Sequence, residues 1–229
     1  NNIYFRRLIS GFKIQKNVVS SLVYRELKTR ISLVKGGFLG IFIEPLGVMS
    51  VFLIIFSLIR SSSPGIDILI FLGVGIVYFT LFSDIAVRSS NGMIANEALF
   101  FYKRIRPVDT VIARTLVESG LYAVVFLVII ISTFLIREEW MLDNFLLLIT
   151  SYFLLVICGF GVGLFLLTAA FIYPSLHQII PLLMRPLWLM SGVFIGLEQL
   201  PQFLRPFLSW NPVFQSIELS RYAFSADYY

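Results

Sequence analysis

"FLLLITSYFLLVICGFGVGLFLLTAAF", residues 145–171, contains no Asp, Glu, Lys or Arg. At 1.5 Å per helical residue it is long enough to cross a hydrocarbon core of about 30 Å. Its apolar residues run on without alternating, which is the pattern of a helix in lipid and not of a strand in a membrane barrel. The remainder of the chain belongs to the same solvent. Of 229 residues 58% are hydrophobic and 14% charged, and the mean hydropathy is +0.89. A soluble globule of this length leaves too many side chains in water for such a composition. Only helices and closed barrels satisfy every backbone N–H and C=O in lipid, so the sequence predicts an all-α integral membrane protein, a polytopic helical bundle.

Working outward, further apolar stretches of spanning length lie near 38–59, 67–87, 119–136 and 179–197. Residues 1–37 form a separate basic segment, and 38–229 form the transmembrane domain. The first segment holds Arg6, Arg7, Lys13, Lys16, Arg25, Lys28, Arg30 and Lys35 and has no short apolar core followed by a cleavage site, so it is not a signal peptide. Within it Val19, Leu22, Val23, Leu27, Ile31 and Val34 fall at helical spacing, with Arg25, Lys28, Thr29 and Ser32 on the other face. That pattern predicts an amphipathic helix lying in the interface plane, its basic face toward anionic lipid or a soluble partner. The alternative is a helix that covers other helices of the same protein.

Charge sets the orientation. With the N-terminus inside, Arg88, Lys103, Arg104, Arg106 and Arg114 join those eight on the inner side, while Arg60, Arg137, Arg205 and Arg221 fall outside. That bias predicts a cytoplasmic N-terminus.

Several chemistries are excluded. One cysteine, Cys158, permits neither an internal disulfide nor a thiolate cluster, and one histidine, His177, permits no paired-His zinc motif. No phosphate-binding loop is present, no Ser/His/Asp constellation is visible, and catalytic and metal-ligating residues are expected to be absent. A membrane enzyme acting on lipid-linked sugars would need clustered acids or histidines. A self-contained channel or ion-coupled transporter would need paired midplane charges or inverted repeats, and neither is evident.

What remains is packing and polar punctuation. Gly159 with Gly163, Gly36 with Gly40, and Gly192 with Gly196 are small-xxx-small pairs that suit close helix packing. Glu44, inside the first stretch, either lines a polar cavity or pairs with Arg88 or Arg114. Asp84 with Arg88 and Arg114 with Glu118 are i,i+4 pairs at span ends, expected as solvated ion pairs. Between the second and third stretches, "ANEALFFYK" predicts a short helix exposing Leu99, Phe100 and Tyr102 beside Lys103, Arg104 and Arg106. It reads as a docking element for a cytoplasmic subunit, or as a headgroup-binding loop. Beyond the fifth stretch, Pro201, Pro206 and Pro212 break any continuous helix. Trp210, Asn211, Arg205, Glu218 and Arg221 are placed at the outer headgroup level, the charged members facing water or the exit of a transported substrate.

Four stretches in order, "GFLGIFIEP", "IANEALFFYKRIRPVDTVIARTLVE", "FIYPSLHQIIPLLMRPLWLMSGVF" and "LSWNPVFQSIELSRYAF", resemble the ABC-2 type permeases of bacterial capsular polysaccharide exporters. The O-antigen and teichoic-acid export permeases share the architecture. The resemblance implies a non-enzymatic permease in the bacterial inner membrane that acts as a homodimer and exports a lipid-linked glycan. It further implies two cytoplasmic ATPase subunits that bind ATP and Mg, with periplasmic and outer-membrane export partners, and no cofactor in this chain. By position, Val18–Val34, with Arg25, Glu26, Lys28 and Arg30, resembles the family's interface helix. Asn96, Glu97, Leu99, Phe100, Phe101, Tyr102 and Lys103 resemble the coupling helix that meets the ATPase. Leu197–Tyr229 resembles the outer re-entrant region, after which the family has a sixth span; the sequence stops at Tyr229, and a truncated chain is the expectation. For a translocated glycan, aromatic faces that stack on sugars nominate Tyr78, Phe79, Phe82 and Trp188, with Glu44 as polar lining and Arg185 available to a phosphate or carboxylate.

Overall fold

The computed structural model describes residues 2–33, 40–59, 66–101, 105–138, 142–197 and 200–225. Among the described residues all regular structure is helical. The helices are α1 (Asn2–Leu33), α2 (Gly40–Ile59), α3 (Ile68–Ser90), α4 (Gly92–Ala95), α5 (Glu97–Phe100), α6 (Pro107–Arg137), α7 (Phe145–Ile172), α8 (Leu176–Met190), α9 (Arg205–Ser209) and α10 (Pro212–Tyr222). Among the described residues α3, α6 and α7 are long and apolar enough to cross a membrane.

The bundle is built around α3. Helices α2, α6, α7, α8 and α10 all contact it, and Phe71, Leu72, Val74, Val77, Tyr78, Leu81, Ile85 and Ala86 are fully buried along it. A helix apolar on every side is stable only when neighbours or lipid surround it, and here neighbours do. Asp67 starts α3, its Oδ1 accepting from the Leu69 amide at 2.8 Å. Asn144 starts α7 in the same way, accepting from the Leu147 amide at 3.0 Å. Both caps satisfy amides that the first helical turn leaves unpaired.

Gly159 and Gly163 bring α7 onto α3. A Cβ at Gly159 would lie 3.3 Å from Ile85 Cδ1, and one at Gly163 would lie 2.8 Å from Ser89 Oγ. The small pair read from the sequence is therefore a packing seam within one chain. Gly192, the partner of Gly196 in that reading, stands instead in a turn at φ 74°, its hydrogen 's place closed off by Phe214 at 2.5 Å from a notional Cβ. Gly36 lies outside the described residues.

Two helix boundaries differ from the sequence expectation. The third crossing was expected from residue 119, whereas α6 starts at Pro107. Pro107 opens the helix because its missing N–H costs nothing at the first position. The Arg106 amide donates to Asp109 Oδ2 at 2.9 Å and closes the first turn. Charges in 107–118 suggested a loop, but they are paired inside the protein, as described below. At the other end, the stretch 179–197 was expected to cross, whereas α8 ends at Met190 after 15 residues. That is about 22 Å, short of a hydrocarbon core. Pro181 and Pro186 each remove an i to i−4 bond within it. Turns follow, and residues 200–225 form α9 and α10, two short helices separated at Trp210 and Asn211.

Candidate functional site

At the end of the bundle where α3 finishes and α6 begins, the charged residues that punctuate the sequence converge. Asp84 Oδ2 takes Arg30 Nη2 at 3.0 Å and the Tyr122 hydroxyl at 2.9 Å, and lies 3.9 Å from Arg88 Nε. Glu118 Oε1 takes Arg88 Nε at 3.0 Å and lies 3.7 Å from Arg30 Nε. Arg114 pairs with Glu26 at 3.3 Å and donates to the Arg88 carbonyl. Two acids and two bases in the first group, and one of each in the second, leave the cluster neutral. Glu118 is only 1% exposed, so the pairs are not the solvated i,i+4 pairs expected. Helix α1 supplies Arg30 and Glu26, and these outcompete the intrahelical partners because they bring charge from a separate element into a protected site.

Helix α1 is consequently held against the bundle. Its Val23 and Leu27 pack on Val117 and Leu121 of α6, and Leu22 is buried. Arg25, expected to face lipid or a soluble partner, turns inward, as does Arg30, while Lys28, Thr29 and Ser32 remain exposed. The structure thus favours the alternative of a helix covering others, at least over this stretch.

Arg25 also donates to Asn96 Oδ1, and Asn96 Nδ2 donates to the Gly92 carbonyl at 2.9 Å. Asn96 is 2% exposed and joins α4 to α5 at a corner. It fixes that corner. Around it Ile94 and Phe101 are exposed, Phe101 to 85%, and Glu97 is exposed too. Leu99 and Phe100, expected exposed, are half-buried. Leu99 lines a groove of about 470 Å³ with Ile14, Val18, Leu22 and Ile105. Tyr102 and Lys103 lie outside the described residues.

A second feature lies between α2, α3 and α8. A cleft of about 440 Å³ is lined by Val48, Ile76, Phe79, Thr80, Ser83, Pro181, Met184, Arg185 and Trp188. It gathers three of the six residues nominated for a pathway, Phe79, Arg185 and Trp188. Trp188 meets Phe52 at 5.5 Å and Phe194 at 4.8 Å between ring centroids, edge on. Thr80 and Ser83 are lining residues that sequence reading missed, and Phe52 and Phe194 are missed ring partners of Trp188 outside the lining; Ile76 with Thr80, and Phe79 with Ser83, share the i,i+4 spacing of one α3 face. Arg185 shares the cleft with the middle of α3, where residue 79 is equidistant from Ile68 and Ser90.

The other nominees are not in the cleft lining. Tyr78 is buried on another face of α3, its hydroxyl 3.0 Å from Ser151 Oγ and its ring edge-on to Phe126 and Tyr152. Phe82 is 7% exposed and packed in the core. Glu44 is on α2, one turn before Val48, and its side chain lies outside the described residues.

The third feature is the far end of α3. Arg221 of α10 is fully buried. It pairs with Glu218 at 2.8 Å, donates to the carbonyls of Phe71 at 3.1 Å and Val193 at 2.9 Å, and sits 3.6 Å from the Phe71 ring centroid. Glu218 Oε2 accepts from the Leu197 amide at 3.3 Å. Both residues were expected to face water; they are internal pins, because their charges cancel and carbonyls surround the guanidinium. Asn211 caps α10 through the Val213 amide at 3.0 Å and donates to Ser191 Oγ at 3.3 Å. Arg205 donates to the Leu200 carbonyl at 3.2 Å. Trp210 is 88% exposed.

Among the described residues no group of His, Cys, Asp and Glu is arranged to hold a metal ion. A family model described as ABC-2 type transporter matches residues 17–225. The polysialic acid transport protein KpsM of Escherichia coli is 34% identical over 220 residues, which cover 96% of this chain and 85% of that protein. The capsule polysaccharide export inner-membrane proteins CtrC of Neisseria meningitidis and BexB of Haemophilus influenzae are 26% and 25% identical. They are covered to 83% and 81%, by 96% and 93% of this chain.

Proposed function

This chain belongs to the ABC-2 type transporter family, and from that premise we propose that it is the membrane-spanning permease of an ATP-driven exporter of capsular polysaccharide. It works as a homodimer in the bacterial inner membrane, N-terminus in the cytoplasm, and two separate ATPase subunits bind and hydrolyse ATP with Mg. The glycan is lipid-linked, and periplasmic and outer-membrane proteins receive it.

The observation that carries this reading is the α4–α5 corner. Its exposed Ile94 and Phe101 stand on a frame fixed by Asn96, and Asn96 is tied by Arg25 to α1. An exposed aromatic beside a half-buried groove suits insertion into a partner, and the basic residues of this end suit the cytoplasmic side. Motion imposed on the corner by an ATPase would reach α3 and α6 through the Arg30, Arg88, Asp84 and Glu118 cluster. The α2–α3–α8 cleft is the segment of the glycan pathway that one subunit contributes, with Trp188 and Phe79 as stacking surfaces and Thr80 and Ser83 as hydroxyl partners.

The test is Phe101→Asp in a cell that carries the cognate ATPase. The charge should abolish co-purification of the ATPase and surface capsule together, while the permease still accumulates in the membrane. Undiminished co-purification would remove the coupling role of the corner.

A further inference from the structure

Arg185 is a guanidinium in an apolar setting. Neighbours on α8 are Ile180, Leu182, Leu183, Met184 and Leu187, and among the described residues Arg185 has no ion pair or hydrogen bond, unlike Arg30, Arg88, Arg114 and Arg221. It is exposed to the cleft between α2, α3 and α8 and is the charged residue among the described lining. The depth matters more than the exposure. Ile76, Phe79, Thr80 and Ser83 occupy the middle third of α3, so the cleft opens away from both ends of that helix. A cation at such depth with no partner among the described residues is costly, and charges held there mark ion and substrate routes. The ends of a span, where a long basic side chain reaches headgroup phosphates without cost, are where a lipid-anchoring arginine belongs.

The other lining groups fit one kind of visitor. Trp188 adds an aromatic ring and Ser83 and Thr80 add hydroxyls to the same lining, that of Thr80 already donating to the Ile76 carbonyl. A volume of about 440 Å³ accommodates a small-molecule-sized group. An arginine can hold two oxygens of a carboxylate or phosphate at once, which a neutral sugar does not present.

We propose that Arg185 recognises the acidic units of the exported glycan, their carboxylate or phosphate oxygens, as these pass the α2–α3–α8 cleft. The inference rests on the export reading above and deepens it: the permease selects polyanionic chains over neutral ones at this residue. The contact is single and exposed on one side, so it holds each repeating unit weakly and releases it to the next.

The experiment uses the full permease with its ATPase in lipid nanodiscs, and two probes: a sialic acid oligosaccharide and its carboxyl-reduced, neutral counterpart. Wild type binds the acidic probe more tightly than the neutral one. Arg185→Gln weakens binding of the acidic probe at least about tenfold, the scale of one charge-assisted hydrogen bond, and leaves the neutral probe unchanged. Arg185→Lys, which keeps the charge and loses the fork, falls between. Equal weakening of both probes by Arg185→Gln overturns the proposal, because the arginine then supports the fold. So does an unchanged acidic probe accompanied by loss of co-purified anionic phospholipid, which makes Arg185 a lipid anchor. If wild type binds both probes equally, the export reading stands and the charge selection falls. If it binds neither, both fall.

Discussion

Arg221 is the residue on which the far end of the bundle depends. Its guanidinium donates to the carbonyls of Phe71 and Val193, and it neutralises Glu218. Removing one member of a buried pair leaves an uncompensated charge, so Arg221→Met should destabilise by about 3–5 kcal/mol, read as loss of thermal stability in detergent. Adding Glu218→Gln to Arg221→Met should recover part of that loss, and a double variant no better than the single one would show that the ion pair is incidental. Gly75 belongs to the same contact. A Cβ there would meet the Val193 carbonyl oxygen at 2.7 Å, a backbone atom that cannot rotate away. Gly75→Ala should therefore lower stability as well, while Gly47→Ala, which meets nothing within 4 Å, should not.

At the scale of elements, α1 is bound to the bundle by charge as well as by apolar contact. Val23 and Leu27 pack on Val117 and Leu121, and the Glu26, Arg30, Asp84, Arg88, Arg114 and Glu118 group adds ion pairs beside the Arg25 bond to Asn96. Glu118→Gln leaves Arg88 without its 3.0 Å partner and weakens the hold on Arg30. Hydrogen exchange over 17–33 should rise in that variant while α7 stays protected. Unchanged exchange in α1 would show that the apolar contact suffices. The sequence carried the amphipathic period of this helix but not its direction. Arg25 lies opposite the apolar stripe by spacing and Arg30 on the same side as the stripe, yet both long side chains reach partners remote in sequence, Asn96 for Arg25 and acids on α3 and α6 for Arg30. The same cause hid the start of α6. Arg114 and Glu118 look like solvated loop charges until Glu26, Arg88 and Arg30 are set beside them.

For the whole molecule, the apolar runs made the class and three spanning helices legible, because 23 to 31 residues of helix in lipid need little else. The prolines of 201–212 marked the break into short helices. The cleft was half legible: Phe79, Arg185 and Trp188 stood out as costly or bulky, whereas Thr80 and Ser83 are ordinary until α2 and α8 are packed beside α3. Tyr78 and Phe82 were nominated for their aromatic faces, and ring type does not say which face of α3 meets the core, where both are buried. Orientation is testable at this scale. In a Cys158→Ser background, Trp210→Cys should react with a membrane-impermeant maleimide on intact cells whose outer membrane has been opened, and Asn17→Cys only after the inner membrane is permeabilised. The reverse pattern would invert the molecule in the membrane.

The reach of Arg221 to Phe71 spans 150 residues of chain. Helix α3 leaves the ribosome long before α10 exists, and until then its outer turns must rest against lipid or the insertion machinery. An apolar circumference makes that wait harmless. Helix α10 cannot wait in the same way, since Glu218 and Arg221 would be exposed to hydrocarbon singly; an i,i+3 spacing lets them neutralise each other within their own helix before docking. Docking of α10 therefore comes after α3 is in place, and until it happens the Val193 carbonyl lacks its Arg221 donor.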